Sequence, residues 1–112
     1  MNKSELEKGV GFITEAVIEY VSESVVVKSV INKITGNVNV MSFDTGEGMK
    51  KKTLAFDSFL QIIDGKAEIV INGISSFLVA GQSIVIPAHS PNEVKATERF
   101  KMILTVIKSG YE

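Results

Sequence analysis

The chain has one histidine and no cysteine, so any chemistry must come mainly from amines, carboxylates, hydroxyls and amides. The missing cysteine removes disulfides and thiolate metal sites. His89 sits in Pro87-Ala88-His89-Ser90-Pro91. It could serve as a general acid or base, or as a lone metal ligand. The favoured reading is a partly exposed loop histidine, because a single imidazole needs carboxylate help to hold a metal and the sequence shows no such cluster. Three amines follow one another at Lys50, Lys51 and Lys52. A desolvated lysine loses its proton more readily and can condense with a carbonyl group. Asp57 could act as a base if buried, yet an aspartate beside a strand start more often caps a turn. Ser58 has no base next to it in sequence, which leaves a nucleophile role unsupported. A metal-independent isomerase, epimerase or lyase would have to build its acid–base pair from Lys52, Asp57 and His89, because Tyr20 and Tyr111 lie far toward the two ends.

These residues must be positioned mostly by strands. Residues 4–21 are ambiguous. Ser4 and Glu7 fit a capping box, and Leu6, Val10, Ile13, Val17 and Tyr20 recur at helical spacing. Gly9 and Gly11 oppose a helix there, at about 1 kcal/mol each. A short helix or turn followed by an irregular lead-in is expected over residues 1–24. From Val25 the pattern is dense in β-branched residues, with strands expected over 25–31, 38–43, 56–63, 66–71, 74–79, 83–86, 93–96 and 100–107. Thr35-Gly36-Asn37 marks a turn, and Gly46 and Gly48 open a loop carrying the three lysines. Asp64-Gly65 and Asn72-Gly73 both read as tight hairpin turns. Many short strands separated by turn signals indicate an all-β sandwich, jelly roll or closed barrel. Such a barrel is filled by side chains or holds one small ligand.

The 112 residues suffice for one domain, and the hydrophobic share of 45% is ordinary for a globular chain. A net charge of -1 argues against a nucleic-acid partner. No apolar signal segment follows the charged N-terminus, and no apolar run approaches a membrane span. A cytoplasmic protein with no membrane partner is the expectation. Several strands are apolar on both faces, which predicts a homodimer to cover the surplus face.

The stretch from Gly46 to Ala96 resembles the two sequence blocks of the cupin superfamily. The first block runs Gly, five residues, His-x-His, three or four residues, Glu, six residues, Gly, and Gly46 and Gly65 stand at its two ends. The second runs Gly, five residues, Pro-x-Gly, two residues, His, three residues, Asn, and Gly81 and Pro87 match its start. Phe56-Asp57, Ile63-Asp64-Gly65, Ile86-Pro87-Ala88 and Glu98-Arg99-Phe100-Lys101-Met102 are similar to small, mostly uncharacterised bacterial cupins of the RmlC-like, cupin 2 kind. The resemblance implies a jelly-roll barrel, a double-stranded β-helix, over 25–112. It also places Lys52 and Leu54 at the first-block histidines, Ser58 at the glutamate, Asn92 at the second-block histidine and His89 at the glycine.

None of the four metal positions keeps its ligand. A lysine is cationic at neutral pH and a leucine offers no lone pair, so no metal and no cofactor are expected. The family register points Lys52 into the barrel, to hold an anion or form a Schiff base. The competing reading, which is favoured, joins it to Lys50 and Lys51 as a solvated run. By strand parity Ser58, Leu60 and Ile62 face inward and Gln61 outward, toward solvent or a dimer partner. Cavity candidates are Lys52, Leu54, Ser58, Leu60, Ile62, His89 and Asn92. The expected function is a metal-free barrel binding a small organic molecule, anionic in one version, with the metal-independent enzyme and the residual metal site at His89 as alternatives. Catalytic residues are not assigned.

Overall fold

The computed structural model describes residues 6–111. Eight strands follow in chain order: β1 (Val25–Lys33), β2 (Gly36–Phe43), β3 (Gly48–Lys52), β4 (Ser58–Ile71), β5 (Ile74–Val79), β6 (Ser83–Ile86), β7 (Asn92–Lys95) and β8 (Phe100–Ile107). All pairings are antiparallel. Two sheets share the long strand β4. Its first half lies between β6 and β8 in the order β1-β2-β8-β4-β6, and its second half lies between β5 and β7, with β3 outside β7. The all-β jelly-roll expectation is met.

The faces that meet inside are apolar. Met41 and Phe43 from β2, Leu60, Ile62, Ala67 and Ile69 from β4, Ile86 from β6, Val94 from β7, and alternate β8 residues from Phe100 to Val106 form one buried cluster. Parity along β4 switches midway. Ser58, Leu60 and Ile62 are buried, then Ala67 and Ile69. A register irregularity between Ile62 and Asp64 makes the switch, and Gly65 follows with φ 77°. A bulge of this kind adds one residue to one strand and re-aims the side chains beyond it.

This corrects the reading of Asp64-Gly65 as a hairpin. Both residues pair with β8, at Asp64↔Lys101 and Gly65↔Phe100, so the chain bends from one sheet into the other without reversing. The Asn72-Gly73 hairpin is present, with φ 52° and 78° at the two turn residues. The β1–β2 reversal falls at Ile34-Thr35, one residue before the expected place, and Gly36 already belongs to β2. The lysine-bearing segment expected to be a loop is strand β3, laddered to β7.

The helical spacing of the lead-in yields only a 3-10 turn at Thr14–Ala16, and Ser4 of the expected capping box lies outside the described residues. The lead-in instead crosses the outer face of the first sheet. Lys101 Nζ donates to the Glu15 carbonyl at 2.6 Å and Ser42 Oγ to that of Glu19 at 2.8 Å. Tyr20 donates its hydroxyl proton to Asp64 at 2.6 Å, and its ring lies under Arg99 and Lys101, at 4.7 and 4.9 Å from the centroid. Burial and the Asp64 carboxylate both push the Tyr20 hydroxyl pKa up. Ile18, within this strap, is buried. The rest of that outer face is open, with Phe59 41% and Val85 58% exposed on paired strands.

Candidate functional site

Strands β3 and β7 bring together two of the residues singled out in the sequence. Lys52 pairs with Asn92 in the ladder after an irregularity between Met49 and Lys52. That irregularity separates Lys52 from its neighbours: Lys50 and Lys51 are exposed, whereas Lys52 is half-buried. Asn92 is only 3% exposed. Lys52 Nζ donates to Asn92 Oδ1 at 3.3 Å. Asn92 Nδ2 in turn donates to the Lys52 carbonyl at 3.3 Å and to the Ser90 carbonyl at 3.0 Å. Both amide protons are therefore spent on backbone oxygens, which fixes the amide with its oxygen toward the amine.

Among the described residues Lys52 makes no ion pair; the salt bridge present joins Arg99 to Asp44. Burial lowers the Lys52 pKa, because the protonated form is the one that loses hydration. A lysine beside a carboxylate would gain Coulomb stabilisation of its charge; beside a neutral amide it gains far less.

The other candidates are placed as follows. Ser58, Leu60 and Ile62 are buried along β4, with Ser58 opposite Ile86 and Val106, and Leu60 and Ile62 part of the packed core. Gln61 is half-buried on the outer face beside Phe59. Leu54 is half-buried in the β3–β4 connection, and its carbonyl accepts the His89 amide proton at 2.7 Å. No hydrogen bond among the described residues links Ser58 or the His89 ring to Lys52. A groove of about 570 Å³ lies along Thr45–Lys50 and Val94–Thr97, outside the candidate set.

Asp57 caps loops, as the second of its two readings has it. Its carboxylate accepts the Ala88 amide proton at 2.8 Å, and the Tyr111 hydroxyl receives the Asp57 amide proton at 2.9 Å. The Ala88 amide and then the Tyr111 hydroxyl hold the Asp57 pKa below its usual value. An aspartate that is both exposed and more acidic than usual is a poor base at neutral pH. Tyr111, which packs edge-on against Phe56 at 5.7 Å, completes this tie between the two loops. Sequence reasoning missed it, since 54 residues separate the partners and neither carries a local signature.

His89 is exposed and has φ 67°. A non-glycine residue in that left-handed region costs roughly 1 kcal/mol. The strain explains why a glycine suits the position in the similar sequence pattern. Replacing His89 by Gly relieves that strain but adds about 0.4–1 kcal/mol of unfolded-chain entropy, so a net stabilisation of a few tenths, roughly 0–0.6 kcal/mol, is expected, measured as the urea midpoint at constant m value. A variant less stable than the parent by more than about 1 kcal/mol would show that the imidazole makes compensating contacts.

Among the described residues no group of three His, Cys, Asp or Glu side chains could hold a metal ion. At the positions of the similar metal pattern stand an ammonium, an isobutyl group, a hydroxyl and an amide. This donor set does not fit a divalent transition metal, which takes imidazoles and carboxylates in such surroundings. No helix is long and apolar enough to cross a membrane.

No protein-family model and no curated protein matches the chain. Solved structures do. A conserved protein of unknown function from Streptococcus pyogenes superposes with a TM-score of 0.89 at 25% identity, covering 94% of this chain and 92% of that one. A cupin superfamily protein from Desulfitobacterium hafniense gives 0.83 at 21% identity, covering 94% and 95%. A cupin 2 conserved barrel domain protein from Leptotrichia buccalis gives 0.81 at 32% identity over 86% of this chain, which spans 46% of that protein.

Proposed function

Because the chain has the fold of the cupin superfamily while Lys52 and Asn92 stand where that family's pattern has histidines, we propose that it is a metal-free binding protein. The ligand is a small organic anion taken up at the Lys52–Asn92 pair. One observation carries this reading: a half-buried ammonium whose sole polar side-chain partner among the described residues is a neutral amide. An ammonium has three donors, and Asn92 accepts from one of them. An anion that reached the amine would offset the desolvation that now disfavours its charge, and a short charge-assisted hydrogen bond would form. The exposed Lys50 and Lys51 on the same strand add positive potential along the approach. Catalysis is not part of this reading, since Asp57 is already engaged by Ala88 and Tyr111.

The test is a melting-curve screen with acetate, pyruvate, glyoxylate, citrate and inorganic phosphate. A ligand present at about 100 times its dissociation constant stabilises the fold by about 2.7 kcal/mol. The variant Lys52→Met should fold with equal or greater stability in buffer, because an apolar chain of similar length replaces a desolvated charge. It should lose the ligand-induced rise, whereas Lys50→Met keeps it. A screen in which no anion raises the melting temperature, or a K52M protein that responds like the parent, would overturn the reading.

The same proposal places the protein in the cytoplasm as a homodimer, with a second copy over the open part of the first sheet's outer face. Phe59, Val85 and Ile107 are exposed there, next to the half-buried Ile103 and Thr105. An exposed apolar patch of this kind suits a two-fold contact between identical copies. Light scattering should give twice the chain mass, and Phe59→Asp should bring it to the single-chain value. A parent protein already at the single-chain mass at high micromolar concentration would refute the dimer.

A further inference from the structure

We propose that the Lys52 amine captures small carbonyl compounds bearing a carboxylate, such as α-oxo acids, as a reversible imine. This deepens the binding reading above and rests on it. Three structural features carry it. The amine is half-buried and lies on the ladder opposite Asn92, away from the run formed by Lys50 and Lys51. Its hydrogen-bond partner is neutral, so no carboxylate clamps its proton. The partner is also rigid, since both Asn92 amide protons are committed to the Lys52 and Ser90 carbonyls. A neutral amine donating one N–H to Asn92 Oδ1 keeps its lone pair free for attack.

The chemistry balances without a co-reactant. The ammonium gives one proton to solvent. The nitrogen lone pair then attacks the carbonyl carbon, forming a C–N bond while the C=O π pair moves to oxygen. A proton shift gives the carbinolamine, and loss of water leaves the C=N bond. No atom changes oxidation state overall, and hydrolysis returns both partners. Protonated at nitrogen, the imine keeps the positive charge beside the ligand's carboxylate, so capture does not remove the electrostatic attraction that brought the ligand in. The depressed Lys52 pKa supports the same choice of amine over its two exposed neighbours.

The lysine run supplies an internal control. The full chain is incubated with glyoxylate and cyanoborohydride at neutral pH, and reduced adducts are mapped by peptide mass spectrometry. Lys52 should be modified roughly tenfold ahead of Lys50 and Lys51, because the free amine is the reacting species. Asn92→Asp, which places a carboxylate next to the amine but gives up both donors to the Lys52 and Ser90 carbonyls, should erase that lead; thermal unfolding checks that the fold survives the exchange, and the three lysines of the parent decide the matter if it does not. Equal modification of the three lysines, or an N92D protein labelled as fast as the parent, would overturn the inference. The two proposals fail separately. If acetate or phosphate still raises the melting temperature through Lys52 while labelling shows no preference, binding stands and imine formation does not. If neither is seen, both fall.

Discussion

Gly65→Ala is expected to cost about 3 kcal/mol or more, a melting-temperature drop of roughly 10 °C or complete failure to fold. Two separate penalties combine at this position. The residue has φ 77°, and a side chain in left-handed backbone costs roughly 1–2 kcal/mol. In addition, an added Cβ would fall on the Arg99 carbonyl oxygen and within 2.8 Å of Phe100 Cα. Both are backbone atoms of the neighbouring strand region, so relief requires parting β4 from β8. Gly73→Ala is the matched control. Its φ is 78°, nearly the same, but a Cβ there meets nothing within 4 Å. Subtracting the two losses, read from urea unfolding, isolates the steric part. Equal losses at the two positions would show that β4 and β8 separate freely at the bend, which a ladder running through Asp64 and Gly65 should not allow.

Phe100→Ala comes next, with an expected loss of about 3–5 kcal/mol, the range for truncating a buried phenylalanine. Phe100 is fully buried, as is Phe43, and the two rings stack with centroids 4.5 Å apart and an interplanar angle of 11°. They sit directly opposite each other at one end of the β2–β8 ladder. Truncation leaves a void walled by strands whose backbone hydrogen bonds resist collapse, so the cavity cost should persist. The ring pair should add about 0.5–1.5 kcal/mol beyond area burial. A double-mutant cycle with Phe43→Ala measures that coupling, and calorimetry gives the total. A loss below about 1 kcal/mol would mean that the core refills the space, which the close packing of such interiors argues against.

How much of this was legible from sequence depends on the range of the forces involved. Alternation along Ser58–Ile62 was readable because strand geometry sends successive side chains to opposite faces, and Leu60 and Ile62 are buried while Phe59 is exposed. Asn72-Gly73 was readable because the turn needs two left-handed residues and nothing distant intervenes. Asp64-Gly65 carries the same local signal and means something else. Pairing of Asp64 and Gly65 with residues 101 and 100 overrides it, and no local pattern reveals that partner. Strand β3 was hidden because Gly48-Met49-Lys50-Lys51-Lys52 is poor in β-branched residues; it is extended because β7 is available beside it. In the lead-in the apolar spacing marked no buried face: Val10 and Ile13 are 54% and 71% exposed, and the residue that is buried, Ile18, lies off that spacing. The resemblance to the cupin blocks located Lys52 and Asn92, and the ladder shows them opposite each other. It could not show that Asn92 would spend both amide protons on carbonyls, nor that Tyr111 would return from the chain end to Asp57.

The position of β8 has a further consequence for biosynthesis. The last of the eight strands to leave the ribosome is an interior strand of the first sheet, laddered to β2 along Gly36–Phe43 on one side and to β4 along Ser58–Gly65 on the other. Until residues 100–107 emerge, β2 and the first half of β4 have no common neighbour, and the edge of each that β8 later covers waits unpaired. The second sheet, with β3, β4, β5 and β7, is available earlier. Vectorial synthesis thus imposes an order: a nascent half-barrel first, with closure delayed until β8 has emerged. In that interval the exposed strands depend on holding factors or on speed to avoid pairing with a neighbouring nascent chain.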